Sequence, residues 1–483
     1  MIDFKRHKTS ISVLLFLIVA RFIAMIWIPL NDSTEARYAE IARIMQETGN
    51  WVTPMHHYGE PFWAKPPLST WLSALSMQCF GVAAWSARLP ALLLSIVMVW
   101  MVAALAKKYR GHAHAWTTRL VLSGCFYFFL DAGAVMTDPA LLFCTTLSLI
   151  AFWRAVVMEE KIWGYWFFIG LGLGLLAKGP LAGLLVGMPL FVWILWHGYW
   201  QACWRRLPIV VGLLLMLAIA LPWYILAEHA TPGFLNYFIV GEHIQRFLTP
   251  GWTGDLYGFA HQAPLGMIWL YAFLGFMPWS LVMVVWWFGF DKQTPTNEHD
   301  LWRRYLVLCG IMPLVFFTFA RNIIYPYVFP CLPFMALWFS EFVARLKGNQ
   351  HQELKLALLA SVSGVIFLLA TALFVFYPDV ASKSQDRVVA LFLKQHPNPK
   401  DDLLYWAPQV EYSAQFYAKG HVRATLDESV LRTWLKDGKR HYLVTSSIDY
   451  VPFPESLKAW LHPVGTVHYR YGDFTLNAIM LLH

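Results

Sequence analysis

Charge is scarce in this chain. Asp, Glu, Lys and Arg make up 14% of its residues, against 58% hydrophobic, and both values lie outside the range of soluble domains. That scarcity argues against a string of soluble domains. Repeated apolar runs near about 20 residues point instead to a polytopic membrane protein. Cysteine is also sparse. Cys79, Cys125, Cys144, Cys203, Cys309 and Cys331 stand in or beside apolar runs, none in the last hundred residues and no two as a CxxC pair. Neither a thiolate zinc site nor a disulfide-stapled domain is supported. A basic stripe is missing too. Lys and Arg are scattered over short loops, so the net charge of +8 reads as the positive-inside bias of a bacterial-type membrane protein and not as a nucleic-acid surface.

What is present is a series of apolar segments near residues 11–30, 86–105, 116–135, 140–157, 162–177, 180–196, 208–226, 265–288, 305–320, 326–344 and 356–377. The 25 Trp, 21 Tyr and 35 Phe fit belts at two membrane interfaces. Lys5, Arg6 and Lys8 precede the run Ile11–Leu30. That run is long for a signal-peptide core and has no clear small-residue cleavage site, so it reads as an uncleaved first span. One further candidate, Pro67–Ala84, is short and interrupted by Ser69, Thr70, Ser73, Ser76 and Gln78. If it crossed, the clusters Lys107/Lys108/Arg110, Arg205/Arg206, Arg303/Arg304 and Arg345/Lys347/Lys355 would face outward, opposite the N-terminus. If it lies along the outer interface, they all face inward with the N-terminus. The positive-inside rule selects the second arrangement: about 11 spans, N-terminus in and C-terminus out.

That topology gathers the polar clusters on or near the outer side: Asp32–Tyr38, Lys65-Pro66-Pro67, Thr137-Asp138-Pro139, Lys178-Gly179-Pro180, Glu242–Arg246 and Arg321-Asn322. Ionisable groups at membrane depth are expensive, and their convergence predicts a site. In the long first outer loop, Asp32 and Glu35 have capping-box spacing. Tyr38, Ile41, Ala42 and Met45 form a helical apolar stripe. The last hundred residues change character. Strands are expected at Leu403–Trp406, Val422–Thr425 and His441–Thr445, and helices at Glu411–Ala418, Glu428–Lys436 and Pro454–Trp460. A closing hairpin joins Thr466–Tyr471 to Phe474–Leu482 with Gly472-Asp473 as its turn. The expectation is a helical membrane domain over residues 1–377 with a long first periplasmic loop, and a small α/β periplasmic domain over 378–483. The latter carries no P-loop, nucleophile elbow or paired metal ligands.

The motifs Asp32-Ser-Thr-Glu-Ala-Arg-Tyr-Ala-Glu40, Phe62-Trp-Ala-Lys65-Pro-Pro67, Ala87-Arg88-Leu89-Pro90, Thr137-Asp138-Pro139 and Glu242-His243-Ile-Gln-Arg246-Phe247 resemble those of the GT-C membrane glycosyltransferases. Within these they look most like the lipid A aminoarabinose transferase and protein O-mannosyltransferase superfamily, over roughly residues 10–345. The resemblance implies a sugar donor on a polyprenyl phosphate, usually undecaprenyl phosphate in bacteria, and transfer at the periplasmic face of the inner membrane. Two positions depart from the pattern. Thr34-Glu35 stands where the aminoarabinose transferases have an acidic pair. Ala64 replaces the glutamate that precedes Lys-Pro and belongs to a divalent-metal site in that family. Glu60 and His243 are the candidate substitutes.

A lipid-phosphate donor needs cations for the leaving phosphate. Lys65, Lys178 and Arg246 with His243 are the first candidates, and Arg37 and Arg321 follow. The bland alternatives are snorkelling at a span end for Lys178 and headgroup contact for Arg246. Asp32 and Glu35 are candidates to position or deprotonate an acceptor hydroxyl, or plain helix caps. Asp138 either caps its span or orients the donor sugar. Tyr38 and Tyr327 are candidate lining residues, Tyr327 equally an interfacial belt residue. Arg21 stands inside the first span. The expected activity is inverting transfer to lipid A or another envelope glycan. A protein O-glycosyltransferase and a lipid-linked sugar transporter are the alternatives, although no internal repeat favours a transporter.

Overall fold

A computed structural model describes residues 7–258, 261–287, 297–344, 352–395, 402–436, 441–447 and 451–479. Lys5, Arg6, Arg345 and Lys347, which entered the reading of orientation, lie outside these residues. All eleven apolar segments contain helix, but not all as one long rod. Among the described residues, eight helices are long and apolar enough to cross a membrane, from Lys8–Trp27 to Gln352–Phe376, and the chain is a multi-pass membrane protein. A ninth candidate is the pair Met267–Gly275 and Trp279–Val285, bent by 99°. Ile162–Lys178 is shorter, at 17 residues. The segment expected over 116–135 is broken into His112–Gly124 and Phe126–Asp131. Pro67–Ala84 yields the helix Leu68–Phe80, 13 residues, which at about 1.5 Å per residue falls short of a hydrocarbon core about 30 Å thick.

Packing separates lipid-facing from internal helices. Ile209–Ala230 exposes Val210, Leu214 and Ile225 by more than half of their surface, as suits a helix against lipid. Asp138–Val156 is almost wholly buried. Ile162–Lys178 packs closely on both neighbours through glycines: a Cβ on its own Gly170 would collide with Ser148 Oγ, and one on Gly212 of Ile209–Ala230 would collide with the Phe168 ring. Small residues let membrane helices approach where apolar burial gives little drive.

Basic helix ends collect on one face of the bundle. Arg154 pairs with Glu160 at 2.5 Å, Lys108 joins the same carboxylate, Arg206 meets Glu159 at 2.7 Å, and Arg110 meets Glu341 at 2.7 Å. His7 bonds Glu353 and stacks on Trp116. The opposite ends of these helices carry the other polar clusters.

On that opposite side the long loop after the first helix holds helix Thr34–Thr48 and a hairpin of β1 (Met55–His57) and β2 (Glu60–Pro61). Above it lies a five-stranded sheet in the order β4-β3-β5-β7-β6, with β3 (Leu403–Trp406), β4 (Val422–Thr425) and β5 (His441–Ser446) parallel. β6 (Leu461–Tyr469) and β7 (Gly472–Ile479) complete it antiparallel. Every residue of β3 is buried, because this interior strand of the mixed sheet is covered on both faces: Leu403 and Tyr405 face one apolar cluster, Leu404 and Trp406 the other. The hairpin turn differs from expectation. Tyr469 pairs with Gly472, so Arg470 and Tyr471 form the turn and Gly472-Asp473 already belongs to β7. Residues 480–482 of the expected last strand lie outside the described residues.

Helix Tyr412–Tyr417 keys this sheet region into the first loop. Leu30 N donates to Tyr417 Oη at 2.9 Å, Ser413 N to Asp32 Oδ1 at 2.9 Å, and Lys383 N to Asn31 Oδ1 at 2.8 Å.

Candidate active site

A cavity of about 480 Å³ opens between the bundle and the sheet region. Arg37, Tyr38, Lys65, Asp138, Lys178, His243, Arg246 and Tyr327 all line it, together with Glu242, Asp255, Tyr257, Glu411 and Tyr412. Residues spread over most of the chain therefore meet at one place.

Local sequence explains how each is held. Lys178 is the last residue of its helix, and Gly179 follows with φ +70°. A Cβ on Gly179 would meet Phe238 at 2.5 Å, so only glycine allows both the turn and the close approach. Pro180 then starts the next helix at a position where no amide hydrogen is needed. Asp138 sits in the first turn of its helix beside Pro139. Its carboxylate makes no capping bond. It accepts from Lys178 Nζ at 2.6 Å instead, and both residues are buried. The Lys178 ammonium also lies 5.3 Å from the Tyr327 ring centroid, a cation–π distance.

A second group centres on Glu242. Lys65 Nζ donates to Glu242 Oε2 at 2.7 Å and to Ala64 O at 2.7 Å. Arg246 Nη1 lies 3.1 Å from both Glu242 oxygens and 3.1 Å from Asp255 Oδ2. Tyr237 Oη donates to Glu242 Oε1 at 3.3 Å. Burial is the largest single influence on Glu242 and opposes its ionisation, but Lys65 and Arg246 together outweigh it and hold the carboxyl below the ordinary range. Arg37 Nη1 donates to Tyr257 O. The Nε groups of Arg37 and Arg246 are buried with no hydrogen-bond partner.

His243 is a holding residue in this geometry. Its Nδ1 lies 2.7 Å from Phe238 O and its Nε2 3.2 Å from Lys178 O, which ties the segment Asn236–Gln245 to the Lys178 turn. Burial lowers its pKa below that of an ordinary histidine, against the pull of the Phe238 carbonyl. The metal implied by the resemblance does not fit these residues. Ala64 offers no ligand, both His243 nitrogens face backbone carbonyls, and Glu60 lies in a different cleft.

Three expected residues point elsewhere. Asp32 forms no capping box. Its carboxylate accepts from Ser413 N and Oγ, and burial, with Glu411 nearby, raises its pKa to about 7 despite those bonds. Glu35 is held by Arg88, whose Nε and Nη2 donate to its two oxygens at 2.8 and 2.6 Å. Neither carboxylate lines the cavity. Arg321 is exposed and contributes only its backbone, donating to Phe247 O at 3.2 Å. Its neighbour Asn322 is the structural residue: buried, it donates to Arg246 O at 2.6 Å and Thr249 O at 2.8 Å and accepts from Gly251 N at 3.1 Å. Arg21 is tucked inside the bundle, bonded to Leu130 O at 2.8 Å and lying against the Phe367 ring.

Glu242, Asp255, Tyr257 and Tyr412 were not among the candidate residues. Glu242 had a signal, since it opens the Glu242–Arg246 motif. The other three stand in segments with no chemical pattern of their own.

The helical bundle and the cationic cavity beneath the sheet region can be set beside known proteins. The family model described as dolichyl-phosphate-mannose-protein mannosyltransferase matches residues 11–238. An undecaprenyl phosphate-alpha-4-amino-4-deoxy-L-arabinose arabinosyl transferase of Pseudomonas fluorescens is 28% identical over 358 residues, which are 71% of this chain and 61% of that protein. The protein of that name from Edwardsiella ictaluri is 26% identical, over 71% of this chain and 59% of its own length. The chain thus spans about three-fifths of the length of these curated relatives. In fold, it is similar to the crystal structure of ArnT from Cupriavidus metallidurans bound to undecaprenyl phosphate, with TM-score 0.72 and 20% identity over 99% of this chain and 98% of that one. The resemblance to the GT-C membrane glycosyltransferases, drawn first from the motifs, therefore stands on both sequence and fold.

Proposed function

We propose that this chain transfers a sugar from a polyprenyl-phosphate donor, undecaprenyl phosphate in a bacterial inner membrane, to lipid A or another envelope glycan at the periplasmic face. The observation that carries this reading is the convergence of four cationic residues, Arg37, Lys65, Lys178 and Arg246, on the lining of one cavity. Lys65 and Arg246 are held together there by Glu242. Such a cluster suits a phosphate that gains charge as its bond to the sugar breaks.

The chemistry follows from the layout. The acceptor oxygen attacks the anomeric carbon as its bond to the lipid phosphate breaks, and negative charge grows on the phosphate. Lys65, Arg246 and Arg37 stabilise that charge where it develops. Glu242 holds Lys65 and Arg246 side by side before the donor arrives, so less reorganisation is left for the reaction itself. Asp138, fixed by Lys178, orients the donor sugar or the acceptor. A phosphate acceptor is already anionic and needs no base. Tyr412 and Glu411 wall the cavity on the side facing the sheet region, where an acceptor enters.

The same reading places the Arg110/Arg154/Arg206 face in the cytoplasm by the positive-inside rule. The apolar segments then make about 11 crossings, N-terminus in, and residues 378–483 form the periplasmic domain. The relatives' names, aminoarabinose transferases acting with undecaprenyl phosphate, support the donor class. A protein acceptor is the second reading, favoured by the protein mannosyltransferase family model.

Purified protein in liposomes, given a labelled undecaprenyl-phosphate sugar with lipid A, tests the proposal. Label moving to lipid A is the expected result. Label reaching envelope proteins instead would move the acceptor to the second reading. Donor flipped across the bilayer without transfer would refute the enzyme.

A further inference from the structure

The β1–β2 hairpin carries a group that the sugar-transfer reading does not use. Ligand atoms of His56, His57 and Glu60 lie within 4.8 Å of one another, and among the described residues this is the one such group of three. Successive strand residues normally point to opposite faces. Here the register shifts between Met55 and His57, and the two imidazole centroids come to 4.4 Å. One nitrogen of each ring is engaged from the sheet region: His56 Nε2 with Tyr412 Oη, and His57 Nδ1 with Gln415 Oε1 at 3.2 Å. His56 Nδ1 is left facing Glu60 Oε2 at 4.0 Å, and His57 keeps its Nε2. An outer partner on one ring nitrogen is what fixes the tautomer and aims the other nitrogen in histidine metal sites.

The surroundings are built as well. His56 packs against Tyr257 at 4.9 Å and Tyr412 at 5.4 Å between centroids. The Tyr58 hydroxyl at the hairpin turn accepts from Arg43 Nη2 at 2.8 Å and donates to Glu47. Only Glu60 is loose, with its side chain 69% exposed, so its rotation can draw the three ligands to the spacing that metal–nitrogen bonds of about 2.0–2.1 Å require. The trio borders an open cleft of about 850 Å³ that His57, Glu60, Gln409, Gln415 and Arg423 help to line.

We propose that His56, His57 and Glu60 bind one divalent transition-metal ion, zinc by the chemistry of two imidazoles and a carboxylate. Its remaining coordination positions face the open cleft. Through Tyr412 and Gln415 the ion clamps helix Tyr412–Tyr417 to the hairpin and fixes the wall that His56 and Tyr412 give to the central cavity. This site is separate from the one the resemblance implies at the position of Ala64, and it does not depend on the identity of the donor.

Tag-free, full-length protein in detergent, stripped with a chelator and titrated with zinc chloride, provides the test. Calorimetry and metal analysis after desalting should give one zinc per chain, and cobalt(II) should give the visible d–d bands of a low-symmetry site. Combining His57→Gln with Glu60→Gln should weaken zinc binding by at least about 100-fold and abolish the rise in Tm that zinc gives the wild type. Each protein is compared with its own unloaded form, because His57 also bonds Gln415 and stacks on Tyr412 without any ion. Wild-type protein retaining no stoichiometric zinc would overturn the proposal, as would equal affinity in the double variant.

Discussion

Lys178 Nζ and Asp138 Oδ1 meet at 2.6 Å across the ends of neighbouring helices, in a pair withdrawn from solvent. Removing one partner strands the other charge in a low-dielectric site. Lys178→Met is expected to destabilise the protein by about 3–5 kcal/mol, and adding Asp138→Asn should recover part of that loss because neither charge then remains. Thermal melts of the single and double variants in matched lipid check this. A single variant as stable as wild type would contradict it.

Lys65 is less buried than Lys178, and Glu242 keeps Arg246 as a partner when Lys65 is removed. Lys65→Ala should therefore fold, yet lose about 10²–10³-fold in transfer. Initial rates against donor concentration separate the two effects. A loss in kcat marks stabilisation of the leaving phosphate, whereas a rise in KM alone marks ground-state binding.

Glu35→Gln should act on stability more than on chemistry, because it breaks a doubly bonded pair with Arg88, which is buried. The expected result is a lowered Tm with turnover per folded molecule within a few-fold of wild type. An acceptor base at this position would instead cost about 10²–10⁴-fold and remove a limb of the pH–rate profile.

Asp32 titrates near 7 in the folded chain, above an ordinary aspartate. The folded state thus binds its proton more tightly than the unfolded state does. The sign follows: this contribution to stability is fully present below about pH 4 and is lost as pH rises through 7. Wild-type Tm should fall from pH 5 to pH 8, and Asp32→Asn should flatten that slope. Glu411, raised in the same direction by burial, leaves a residual slope in the variant. Intrinsic tryptophan melts across the pH series read both.

The sheet region tests how far local pattern reaches. Val422–Thr425 and Glu428–Lys436 form the strand and helix expected of them, residue for residue, since period-2 and period-3.6 patterns and their bounding turns are local properties. The hairpin turn moved by two residues because register is set by pairing of β6 with β7, and nothing within the turn states that pairing.

The site divides along the same line. Sequence alone determined that Lys65, Asp138, Lys178 and Arg246 stand at interruptions of apolar runs, the first three beside a proline or glycine that fixes the backbone, and that charge there is too expensive to be idle. Only the tertiary structure decided which carboxylates face the cavity. Glu35 precedes Tyr38 by three residues and shares nearly its helix face, yet Arg88, 53 residues on, draws its carboxylate away. Asp32 is claimed by Ser413, 381 residues on. A buried charge takes whatever partner the fold brings to it, and that partner is fixed by packing between segments, which the order of residues along one segment does not contain.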